Sequence, residues 1–159
     1  MEWPGRFYRL SYNLGRSGKP YLPLHWSYSE PWERDEEGHW EDLRGRGAQV
    51  TDRASWVAEG VLGADLDGHY ADYPWALVLD ATDCNDSSGV WYAVTREHVT
   101  RVRAVPTRAF RKWLRRTYDI LDLVQEYDFE DEEETIARWL ERNAKDLTVP
   151  WVETLPRPQ

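Results

Sequence analysis

The chain reads as an α+β protein: a mainly antiparallel sheet carrying one central helix, closed by a carboxy-terminal helical hairpin. Three observations predict it. Up to Pro106 the apolar residues alternate or run in short blocks, the pattern of strands. Beyond Pro106 the spacing changes to threes and fours, with Phe110, Trp113, Leu114, Thr117, Leu121 and Val124 on one stripe. No internal repeat or low-complexity linker divides the 159 residues, a length that suits one domain spanning 1–159.

Residues 1–50 form an aromatic, proline-rich part with four Pro, six Gly and nine aromatic residues. Alternation in Phe7 to Tyr12 and in Tyr21 to Tyr28 predicts short strands, broken by turns at Gly15, Gly18-Lys19-Pro20 and Glu30-Pro31. Glu33 to Gly38 reads as a solvated loop, because it is charged and ends in glycine.

A helix and a sheet occupy 51–105. Thr51 to Gly63 has a capping residue at its start, Asp52 in the first turn and glycine as a stop, so a helix is expected with Ala54, Val57 and Val61 inward and Trp56 at one edge. Trp75 to Leu79 and Val90 to Val94 are the clearest strands. The intervening Asp80 to Gly89, dense in turn-forming residues, reads as a long hairpin connection between them, with a third strand Val99 to Val105 beside the second.

The helical hairpin covers 106–145. Thr107 can cap a helix that runs to Val124 until Tyr127-Asp128-Phe129 interrupts it. A second helix, Asp131 to Asn143, places Ile136, Trp139, Leu140 and Ala144 on its apolar side. Its acids at the start and Arg138, Arg142 and Lys145 near the end complement the helix dipole. An extended tail, 146–159, holds three prolines from Pro150 onward and can dock through Trp151.

Composition narrows the classes of function. The chain carries 20 Lys+Arg against 29 Asp+Glu, a formal net charge of −9. It contains no run of 18 apolar residues, and Met1 to Arg6 resembles no signal peptide, so no membrane is expected and the compartment reads as cytoplasmic. Cys84 is the single cysteine, which fits a reducing interior and excludes an intrachain disulfide. Arginine greatly exceeds lysine, the bias of a GC-rich genome, bacterial or phage. No cofactor motif occurs: phosphate-cradling glycine loop and nucleophile elbow are both missing, and nothing near Cys84 activates a thiolate.

Three constellations remain. Charge is segregated: 96–116 holds eight basic residues and one acid, +7, leaving −16 elsewhere, concentrated at 30–42, 65–86 and 126–134. Arg108, Arg111, Lys112 and Arg115 therefore form a candidate phosphate or nucleic-acid site. The opposing reading is neutralisation within the chain by the carboxylates of 126–134.

Acidic loops flank the best strand, and Asp67, His69, Asp80 and Asp83 form a candidate metal site for a metal-assisted hydrolase. Asp83, Asn85 and Ser87 share the spacing of a calcium loop, but Gly89 falls one place late and Val94 stands where a bidentate glutamate belongs. The four histidines are too scattered for zinc.

In the amino-terminal part, aromatics interleave with acids. Trp32, Asp35, Glu36, Glu37 and Trp40 form a candidate protein-binding surface of ring anchors with a charged rim. Loop packing and sugar stacking would draw on the same residue types. The expected function is macromolecule binding, first of all of a partner protein with a basic face, in an inhibitor, immunity or antitoxin-like role.

Overall fold

The structure is a computed structural model, and it describes residues 5–14, 18–24, 32–42, 47–66, 73–120 and 128–152. In chain order the strands are β1 (Arg6–Ser11), β2 (Asn13–Leu14), β3 (Lys19–Pro20), β4 (Leu22–Pro23), β5 (Trp32–Arg34), β6 (Trp40–Asp42) and β7 (Ala48–Thr51). Helix α1 (Ala54–Leu66) follows, then β8 (Trp75–Ala81), β9 (Asp86–Ser88), β10 (Trp91–Val94) and β11 (Val99–Pro106). Helices α2 (Thr107–Tyr118) and α3 (Glu133–Asn143) precede β12 (Lys145–Asp146) and β13 (Trp151–Val152). The fold class is α+β, as the sequence predicts.

The run Trp-Ala-Leu-Val-Leu of β8 is apolar at every position, so both of its faces need cover, and it lies inside the main sheet. That sheet is antiparallel throughout, with order β12-β11-β8-β1-β7-β10-β9. Tyr8, Ala76, Val78 and Val105 face the helices, where Val57, Val61, Phe110, Leu114, Ile136 and Leu140 are buried against them. Phe7, Leu77, Leu79, Val50 and Val94 face the other way, onto Leu22 and Val149. This second cover is the short parallel pair β4–β13, in which Trp151 lies opposite Leu22 and the Leu22 N–H donates to Pro150 O at 2.9 Å. Trp151 packs on that core, so the tail docks there.

Two pairing expectations are corrected. β8 and β10 are not joined as a hairpin, since β1 and β7 lie between them. The connection instead contributes β9, which forms its own hairpin with β10 around Gly89-Val90, where Gly89 takes the left-handed φ of +64°. Strand β11 pairs with β8 and β12, not with β10. A strand covered on both faces can take neighbours on either edge, and local turn residues cannot say which. Gly47 then permits the close approach of β7 to β10: its φ is +90°, and a Cβ there would collide with the Val94 carbonyl.

Helix boundaries move as well. Thr51 belongs to β7 and accepts the Arg53 N–H on its hydroxyl, so it ends a strand and does not cap α1. Gly63 does not stop α1, which continues to Leu66. The start of α1 is closed from a distance: Glu133 of α3 accepts the N–H groups of Ala54 and Ser55 and the Ser55 hydroxyl at 2.7–3.0 Å. Thr107 does not cap α2 either. Its hydroxyl donates to Tyr73 O, and Pro106 holds the cap position. Helix α2 ends at Tyr118, earlier than the apolar stripe implies, because Asp119 turns left-handed (φ 51°, ψ 50°) and both it and Ile120 donate to Arg115 O. Leu121 and Val124 lie outside the described residues. A ring stack brings α2 and α3 together, with Trp139 5.4 Å from Phe110 and 4.9 Å from Trp113 between ring centroids. Glu33 to Gly38, expected as a loop, splits into the end of β5 and a tight turn leading to β6.

Glu133 satisfies otherwise orphaned helix donors with a charged acceptor, so Glu133→Ala is expected to lower unfolding free energy by about 2 kcal/mol, measured by urea titration. Glu133→Gln, which keeps one oxygen, should lose less. Burial, helped by Asp128 and Glu130, pushes the Glu59 carboxyl above the ordinary glutamate range, against the N–H of Phe129 that it accepts. A raised folded value means stability is lost as pH climbs through it. The melting temperature of Glu59→Gln should therefore match that of the wild type near about pH 4 and exceed it at about pH 7.

Candidate functional site

The protein-binding candidate is a ribbon. Among the described residues, strands β5 and β6 pair only with each other, setting Trp32 opposite Asp42 and Trp40 opposite Arg34. The turn between them is built by the Asp35 side chain. Its Oδ1 accepts the N–H groups of Glu37 and His39 at 2.9 Å, while the Asp35 N–H donates to His39 O and Gly38, at φ +84°, donates back to Asp35 O. His39 Nδ1 lies 3.7 Å from Asp35 and 3.6 Å from Glu37. Asp35, Glu36 and Glu37 are exposed. The sequence segment thus yields a shaped acidic tip in place of a featureless charged loop.

The basic segment is divided by the fold. Helix α2 buries Arg111, which is 6% exposed, together with Phe110 and Leu114, whereas Arg108, Lys112 and Arg116 lie on its exposed side and Arg115 is half-buried. On β11, Arg101 makes a bidentate pair with Asp146 at 2.6 and 2.9 Å, and Arg103 is buried with Nη1 donating to Glu141 O at the end of α3. Asp146 therefore takes part in neutralisation within the chain, and three acids at the entry to α3 are engaged elsewhere, while Glu126 lies outside the described residues. Glu132 meets Tyr118, Glu133 closes α1, and Glu134 pairs with Arg138.

Asp80 of the metal candidate is held in an ion network. Arg6 donates to it at 2.9 Å and to Glu141 at 2.6 Å, Tyr8 donates to Glu141, and Arg101 faces Asp80 across β11. The two carboxylates push the Arg6 guanidinium value up, and burial followed by the Glu141 charge does the same to the Tyr8 hydroxyl. Placed between two arginines, Asp80 is a poor cation ligand. Asp83 is exposed and accepts the Cys84 N–H. Asp67 and His69 lie outside the described residues. Among the described residues, no three His, Cys, Asp or Glu side chains gather as a metal-binding group.

One feature escapes sequence reasoning. A pocket of about 210 Å³ opens between α1 and the strands β1, β7 and β10, walled by Trp56, Trp91, Tyr73 and Leu10. The Trp56 and Trp91 rings meet edge to face at 5.5 Å, although 35 residues of chain separate them. Only the strand order reveals this meeting.

The chain matches no family model, no curated protein and no solved structure.

The division of the basic segment predicts opposite outcomes for neighbouring substitutions. Arg111→Glu should cost about 4 kcal/mol by placing an uncompensated charge in the core, whereas Arg108→Glu should change stability by about 0.5 kcal/mol or less, both measured by denaturant unfolding.

Proposed function

We propose that the protein binds a partner protein with a basic face, in an inhibitor, immunity or antitoxin-like role, and that the ribbon tip at Asp35, Glu36 and Glu37 makes the first contact. The observation that carries this reading is the Asp35-built turn, which fixes the backbone bearing the exposed Glu36 and Glu37 at the end of a ribbon that, among the described residues, pairs with no strand of the main sheet. A preordered charged tip loses less conformational freedom on binding than a loose loop does. The net charge of −9 adds long-range attraction for a cation-rich surface and accelerates encounter. Trp32 and Trp40, on the strands behind the tip, supply aromatic anchors in this proposal. A cytoplasmic setting belongs to the same reading. No helix in the described residues is long and apolar enough to cross a membrane.

A second reading has its own observation. Arg108, Lys112 and Arg116 recur every four residues along the exposed side of α2, whose first turn holds no acid. A phosphate-bearing ligand would meet these three and Arg115, with Arg111 acting as a structural residue beneath them.

The two readings separate in one capture experiment on the source lysate, with bound proteins identified by mass spectrometry and bound nucleic acid quantified. A basic protein should be retained at about 0.1 M salt and released as screening shortens the range of the attraction. The double variant Glu36→Lys/Glu37→Lys should retain roughly tenfold less of it. Equal retention by the double variant would sink the first reading. Nucleic-acid retention lost in Arg108→Glu/Lys112→Glu would establish the second.

A further inference from the structure

We infer that the pocket between α1 and the sheet is a binding site for a small, uncharged, planar aromatic molecule of about two fused rings. It is independent of the acidic ribbon and of the basic face of α2. Four observations carry the inference. The first is shape and size: apolar cavities of roughly 150 Å³ accept benzene, and this pocket, at about 210 Å³, has room for a bicycle. The second is the wall. Trp56 and Trp91 stand at 73° to one another with centroids 5.5 Å apart, so a flat ring lying along one of them presents its edge to the other, both favoured ring–ring geometries.

The third observation is charge. Arg9 is the one charged residue among the described residues that line the pocket, and its place in the pleat puts its side chain on the Phe7 side of β1, away from α1, where Nη1 donates to Gln49 O. The pocket side of β1 presents Tyr8 and Leu10. An ionised ligand would thus lose its hydration without gaining a counter-charge, which selects a neutral one. Thr51, whose hydroxyl oxygen accepts the Arg53 N–H, keeps its own O–H to offer to a ligand nitrogen or oxygen.

The fourth is Gly60, in the middle of α1, where glycine is a poor helix former. A Cβ at that position would stand 3.3 Å from Leu10 Cδ1, inside the pocket wall. The missing side chain costs the helix stability and lets α1 come close to Leu10 at the pocket wall. Trp56 stands at the pocket 43% exposed, as expected of a ring that a ligand covers.

The test is titration of the full chain with indole, followed by the indole N–H resonances of ¹⁵N-labelled tryptophan, with single Trp→Phe variants to assign them. Saturable shifts confined to Trp56 and Trp91 are expected. Gly60→Ala should weaken indole binding at least tenfold while the tryptophan resonances away from the pocket stay at their folded positions, an outcome that loss of folding cannot imitate. Trp56→Ala should weaken it similarly. Indole-3-acetate, the same ring with a carboxylate, should bind at least tenfold more weakly than indole. The inference is overturned if indole shifts are linear to its solubility limit, if they map to other tryptophans, or if Gly60→Ala binds as the wild type does. It is overturned too if N-acetyl-tryptophanamide binds more than tenfold tighter than indole, because the occupant would then be a peptide side chain.

Discussion

The carboxylate of Glu133 holds the helical layer in register. It belongs to the first turn of α3 yet is spent on the first turn of α1, where it meets two backbone N–H groups and the Ser55 hydroxyl within 3.0 Å. A helix start left open on the sheet would expose donors and a partial positive charge, so one bridging anion satisfies both and ties together segments 78 and 79 residues apart. With α1 fixed against α3, the stack of Phe110, Trp113 and Trp139 completes the layer by drawing in α2. Glu59 then meets the Phe129 N–H from the opposite side, so the acidic entry to α3 is wrapped around α1 at two points. The position of α1 in turn leaves the gap over β7 and β10 that becomes the aromatic pocket.

How much of this was legible follows from the range of each interaction. The helical stripe of Phe110 and Leu114, the α3 stripe of Ile136 and Leu140, and the apolar run of β8 are local patterns, and each appears in the structure where the residues predict it. The differences in capping and in strand pairing are non-local. Thr51 and Thr107 satisfy the local rule for a cap, yet distant groups take over: Glu133 closes α1, and Thr107 is turned toward Tyr73. The segment Asp80 to Gly89 has the turn residues of a hairpin, and it does supply one, between β9 and β10. Its partner strand is not β8, because β1 and β7, from the amino-terminal third of the chain, lie between β8 and β10.

The candidate sites divide along the same line. Asp35 organising its own turn is a two- to four-residue event, and Asp followed three residues later by Gly is a readable signal for it. Arg111 could have been assigned to the buried side from sequence, since it follows Phe110 and stands three residues before Leu114 on the inward stripe. Its positive charge outweighed its position in that reading. The Trp56–Trp91 pair had no signal at all, because β10 reaches α1 only through the order of the sheet.

Charge segregation along a chain is therefore a weak guide to charge segregation on a surface. Within the +7 segment, Arg101 and Arg103 end at Asp146 and at the carbonyl of Glu141, and Arg111 goes beneath α2. Each such residue does structural work: Arg103 meets the carbonyl end of α3, where the helix dipole favours a cation. Asp80 and Glu141 are likewise drawn from the acidic surplus to hold Arg6. Among the charges that remain exposed are Glu36 and Glu37 on the ribbon and Arg108, Lys112 and Arg116 on α2. In the proposed binding readings these two groups make the contacts, and selectivity then rests on how firmly each is presented. The backbone is already ordered in both places, by the Asp35 turn at the ribbon tip and by the helix in α2, so the ordering cost left to binding at either surface falls on the long exposed side chains.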